Sequence, residues 1–162
     1  KVEQTISPSM DIQVASNFER LIFSINSNDD QATIDTMKEL KENNEFKLND
    51  HQIKIINRDF ISESLSEKET KHTIKKIYKN HNVLVDPHTA VAIGVLDKIS
   101  SDGINIILST AHPCKFPEAI KEVTGKYPEF PFELKKIMEE KENFNIMPND
   151  LNAIKKFIQN KA

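Results

Sequence analysis

The side chains whose types could do chemistry crowd into two short stretches of this 162-residue chain, Asp86-Pro87-His88-Thr89 and Ser109-Thr110-Ala111-His112-Pro113-Cys114. Hydroxyls at Ser109 and Thr110 could hydrogen-bond a ligand, and His88 and His112 could ligate zinc or move protons. Asp86 could pair with Asp11 in acid-base work, and Cys114 could act as a nucleophile. Each has a plainer role to set beside these. The two histidines sit in separate turns without partners at metal-ligand spacing, so no metal site is expected, and both are kept only as groups supporting the lining of a site. His51, His72 and His81 are read as surface residues. Asp11 and Asp86 lie in turns, where aspartate commonly accepts local backbone N–H groups. No activating arrangement is visible around Cys114, which reads as a small packing residue. Thr110, with Ser109 as its neighbour and substitute, is a candidate for ligand contact, although from spacing alone its plainer role, capping the helix that follows, is favoured.

The elements around Thr110 give its position meaning. Asn82-Val83-Leu84-Val85 reads as a short apolar strand, Asp86 to Thr89 as a turn, and residues 90–99 as a buried helix. After Ser101-Asp102-Gly103 comes Ile104-Asn105-Ile106-Ile107-Leu108, the nearly continuous apolar run expected of a strand covered on both faces. A helix between two such strands is a βαβ unit, so the fold class is α/β with a parallel sheet. In open sheets of this kind ligands bind beyond the carboxyl ends of the strands, which is where Thr110 falls.

The remaining sequence is mostly helical. Residues 2–6 read as a short strand closed by Ser7-Pro8, and Phe18, Leu21 and Ile22 share a helical face. Two helices joined by a charged loop at 42–50 are expected between 26 and 59. Ser66 and Glu69 form a capping box, starting a helix that runs from about Glu67 to Tyr78. Closing helices are expected at 116–123, 132–138 and 150–158, separated by turns at Pro128, Pro131 and Pro148.

Composition excludes several classes. With 22 basic and 25 acidic residues the formal charge is -3, and the basic pairs are interleaved with acids, so no nucleic-acid partner is expected. No apolar run approaches the roughly 18 residues of a membrane span. A single cysteine gives no disulfide and points to a reducing, cytoplasmic compartment. Only three glycines occur, unclustered, so any phosphate-bearing cofactor would need a cradle from outside the chain. The chain opens on Lys1-Val2-Glu3-Gln4 in a strand-like run, as expected of a segment taken from a longer protein.

Three stretches carry a resemblance to a known family. Ser7-Pro8-Ser9-Met10-Asp11-Ile12 with Ser16-Asn17-Phe18-Glu19-Arg20, then Asp86-Pro87-His88-Thr89-Ala90-Val91, then Ser109-Thr110-Ala111-His112-Pro113-Cys114-Lys115-Phe116, resemble threonine synthase motifs in family order. The likeness spans nearly the whole chain and is weakest at 26–62. It implies the C-terminal part of a parallel-sheet, fold type II domain dependent on pyridoxal 5'-phosphate, with helical additions. It further implies a lyase of threonine biosynthesis that converts O-phospho-L-homoserine and water to L-threonine and phosphate. Residues 1–25 would be a strand and helix entering the cofactor domain, 26–62 a charged helical insertion, 63–125 the βαβ part of the cofactor-binding sheet, and 126–162 the C-terminal helices. In the family the Schiff-base lysine and the phosphate loop precede the Ser-Pro-Ser-Met-Asp stretch, so no catalytic residue is assigned here, and the isolated chain is expected to be inactive without that missing N-terminal part. Thr110 matches the hydroxyl residue facing the pyridine nitrogen of the cofactor. The alternative function is a non-catalytic α/β interaction domain.

Overall fold

The computed structural model describes residues 2–99 and 103–161, which hold eight α-helices and one 3-10 turn. The helices are α1 (Ser16–Ile25), α2 (Asp30–Asn43), α3 (Asp50–Asp59), α4 (Glu67–His81), α5 (Pro87–Leu96), α6 (Pro117–Thr124), α7 (Phe132–Glu139) and α8 (Leu151–Lys161). The chain divides into two compact units at the boundary between Pro128 and Glu129, with α7 and α8 in the second.

Local signals explain where most helices start and stop. Asp29 caps α2 by accepting from the Ala32 N–H at 3.0 Å. Asn49 and Gln52 form a reciprocal box at the start of α3, and Ser66 and Glu69 form the expected one at the start of α4. Three helices end on left-handed residues that turn the chain out of the helix, Asn44, Asn82 and Gly125.

In the first unit α1 packs on α2 and α3, while α4 packs on α5 and α6. The second group buries Ile74, Ala90 and Ile120, one from each helix, with Ile6, Leu84, Val85 and Val123 laid against them. Burying an isoleucine completely, as at Ile74 and Ile120, stabilises by about 1.5–3 kcal/mol each. Gly94 sets how closely α5 approaches: a Cβ there would lie 2.5 Å from Leu65 Cδ2 and 2.9 Å from Thr73 Oγ1. No residue of α5 is exposed, which accounts for its lack of a polar face.

The expected sheet is not seen among the described residues. Residues 2–6, 82–85 and 104–108 form no paired strand among the described residues. A strand exists only when a neighbour takes up its N–H and C=O groups, and among the described residues none of these segments lies beside another in that way. The first two instead lay Ile6, Leu84 and Val85 on the helical core. The third leaves Ile104 95%, Ile106 84% and Leu108 72% exposed, although its apolar run calls for cover on both faces. Of the turn before it, Ser101 and Asp102 lie outside the described residues.

The α4 cap has two measurable consequences. Ser66→Ala should cost about 0.5–2 kcal/mol, read as a lower denaturation midpoint at unchanged slope. The Ser66 hydroxyl, then Lys98 and the Ser66 N–H, hold the Glu69 carboxyl down from 4.5 to about 2. A carboxyl depressed on folding stabilises the native state above its unfolded value and loses that contribution as pH falls. Thermal melts should therefore show stability declining between pH 4.5 and 2 by more in the wild type than in Glu69→Gln.

Candidate functional site

The start of α5 is built around one carboxylate. Asp86 is completely buried, and its Oδ1 accepts from the backbone N–H groups of His88 at 2.9 Å and Thr89 at 3.4 Å. The Thr89 hydroxyl donates a short hydrogen bond to Oδ2. Pro87 occupies the first turn, where its missing N–H costs nothing and its fixed φ suits the helix.

His88, also buried, connects this cap to the N-terminal turn. Its Nδ1 lies 3.0 Å from Asp86 Oδ1, and its Nε2 accepts from the Ser9 N–H at 3.1 Å. An amide N–H can only donate, so Nε2 is the bare nitrogen and Nδ1 carries the proton to Asp86. The turn containing Ser9 is closed by Met10 N–H to Ser7 C=O at 2.9 Å, and Asp11 accepts from Thr5 through its N–H at 2.6 Å and its hydroxyl at 2.8 Å. Phe116 packs its ring 4.9 Å from that of His88.

These contacts bring the three motif stretches to one cleft of about 390 Å³. Met10 comes from the first stretch, His88 from the second and Thr110 from the third, with Ala92, Val95 and Ile106 completing an apolar wall. Thr110 and Ser109 are exposed, and the Thr110 side chain has no hydrogen-bond partner among the described residues. Capping does not explain Thr110: the following 3-10 turn, Pro113–Lys115, is capped by His112, whose Nδ1 accepts from the Cys114 N–H at 3.2 Å. His112 is exposed and does not line the cleft, so of the two histidines only His88 reaches it. Asp11 and Asp86 each serve local donors rather than each other. Cys114 is buried and unpaired. His51, His72 and His81 are exposed.

Among the described residues two long-range contacts that no local pattern announces, Ser9 to His88 and Phe116 to His88, contribute to the convergence. Sequence reasoning missed the bridging role of His88 and also Gly94; the only trace of the latter was a lone glycine inside an apolar helix. No group of histidine, cysteine or acidic residues among the described residues could hold a metal ion, and no helix there is long and apolar enough to cross a membrane.

Comparison with known proteins identifies the family. The family model described as threonine synthase, C-terminal, matches residues 89–158. The threonine synthase of Pseudomonas aeruginosa is 32% identical over 95% of this chain and 34% of its own length. That of Saccharomyces cerevisiae is 34% identical over 96% of this chain and again 34% of its own length. The crystal structure of PLP-bound threonine synthase from Brucella melitensis superposes with a TM-score of 0.85 at 35% identity, covering 99% of this chain and 35% of that one. The chain thus spans about a third of the length of the relatives it matches, and by sequence and by fold it belongs to the threonine synthase family, as the C-terminal part of its members.

Proposed function

We propose that this chain is the cofactor-ring side of a threonine synthase, a lyase of threonine biosynthesis that converts O-phospho-L-homoserine and water to L-threonine and phosphate. The observation that carries the reading is the meeting of three motif stretches at one cleft, with Thr110 an exposed lining residue committed to no cap.

The residues present fit one end of pyridoxal 5'-phosphate. When bound, that cofactor supplies an electron sink that lets phosphate leave and water add. The Thr110 hydroxyl would hold its ring, with Ser109 as the neighbouring donor, and His88 supports the cleft wall. A neutral hydroxyl donates to an unprotonated ring nitrogen, whereas a carboxylate would favour the protonated one, so threonine tempers the sink. The phosphate end has no cradle here, because that dianion calls for an array of backbone donors and the three glycines are scattered. The remaining two thirds of a family-length protein would provide it, together with the lysine that carries the cofactor.

The same part would complete the fold. Residues 83–85 and 104–108 are non-helical and flank α5, and as strands of a shared parallel sheet with the rest of a family-length protein they would give Ile104, Ile106 and Leu108 cover. Within that domain we retain 1–25 as the entry to the cofactor region, 26–62 as a charged helical insertion, 63–125 as the cofactor-binding part and 126–162 as closing helices. The lone, buried Cys114 fits a reducing cytoplasmic compartment. The relatives matched favour this reading over a non-catalytic interaction domain.

Two results test it. The family-length enzyme, loaded with pyridoxal phosphate, should release phosphate and threonine from O-phosphohomoserine; a folded, loaded enzyme that does neither rejects the assignment. In that enzyme Thr110→Val should weaken cofactor binding by about 0.5–1.5 kcal/mol and slow turnover at least as much, while wild-type affinity and rate would remove Thr110 from the site. The 162-residue chain alone, mixed with cofactor and reduced with borohydride, should show scattered, substoichiometric lysine labelling by mass spectrometry and no threonine. A single stoichiometric lysine with turnover would overturn the requirement for a second part.

A further inference from the structure

The contacts of His88 do more than fill space, and they deepen the cofactor-cleft reading on which this inference rests. We infer that His88 is a positioning residue that works in its neutral Nδ1–H form, joining the buried Asp86 carboxylate to the Ser9 amide so that the turn at 7–11 is fixed at the mouth of the cleft.

Each side of the imidazole is committed. Nδ1 is 3.0 Å from Asp86 Oδ1, Nε2 is 3.1 Å from the Ser9 nitrogen, and the Phe116 ring lies against it at 4.9 Å. The residue is 5% exposed and Asp86 is 0% exposed, so water cannot readily replace either partner. Met10 follows Ser9 directly and lines the cleft together with His88 and Thr110. The turn has its own closing bonds, Met10 N–H to Ser7 C=O and Thr5 to Asp11, but these only shape it. The Ser9–His88 bond spans 79 residues and, among the described residues, is the polar contact that ties the turn to α5. Asp86 selects the tautomer by accepting from Nδ1, which leaves the Nε2 lone pair free for an amide. A histidine with the other tautomer, or a protonated one, would present a donor to a donor.

The two halves of the bridge are separable by substitution. Glutamine places its Oε1 four bonds from Cα, as Nε2 is, and can accept from Ser9; asparagine reaches only as far as Nδ1 and can serve Asp86 alone. On the full 162-residue chain, nitrogen NMR of labelled histidines should show one neutral ring with bare Nε2 and protonated Nδ1, missing from the spectrum of His88→Gln. Hydrogen exchange at the Ser9 amide should stay near wild type in His88→Gln and accelerate about threefold to tenfold in His88→Asn, the size expected for one hydrogen bond. In the family-length enzyme, pyridoxal phosphate affinity should follow the same order. A protonated Nε2 at His88, equal Ser9 exchange in the two variants, or wild-type cofactor affinity in His88→Asn overturns the inference. If the wild-type enzyme binds no pyridoxal phosphate, the synthase reading falls, while the bridge is still decided by the tautomer and by Ser9 exchange.

Discussion

Asp86 is a fully buried carboxylate that starts α5, and the geometry of the cleft follows from how its oxygens are used. A buried carboxylate without donors is strongly unfavourable, and Asp86 is supplied with two backbone N–H groups, the Thr89 hydroxyl and the imidazole of His88. Satisfying it fixes the first turn of α5, and fixing that turn orients His88. The histidine in turn holds the Ser9 amide and packs on Phe116. Removing the carboxylate would therefore disturb the helix start and, through His88, the N-terminal turn and the packing of Phe116.

The helical core and the cleft wall have different kinds of stability. Around Ile74, Ala90 and Ile120 the helices bury apolar surface against one another, and Gly94 lets α5 come close enough for that contact. The segment at 104–108 has apolar residues of the same kind and no such cover among the described residues. Its side chains are suited to a sheet whose other strands belong to the remainder of a family-length protein. The chain thus combines a packed helical core with a non-helical stretch whose apolar side chains are exposed among the described residues.

The helices were legible in the sequence, and the reasons are local. Ser66 and Glu69 announced α4, spaced apolar residues announced α1 and α3, and prolines marked the gaps between the closing helices. The expected strands at 2–6, 82–85 and 104–108 were not found as strands, since pairing is a property of two segments and an apolar run reports only that one of them wants cover. The start of α5 fell three residues earlier than periodicity suggested, because Asp86 and Pro87 act as a cap and first-turn residue rather than as a free turn.

By itself the sequence determined the placement of most helices and the three motif stretches that mark the family, since capping and motif order are read along the chain. Only the tertiary structure decided what those stretches do together. It gave the capping role after Thr110 to His112, placed Thr110 among the residues lining the cleft, and made His88 the bridge between Asp86 and Ser9. The reason is physical: which nitrogen of an imidazole carries the proton, and which hydroxyl stays uncommitted, depend on donors and acceptors brought together across 79 residues of chain.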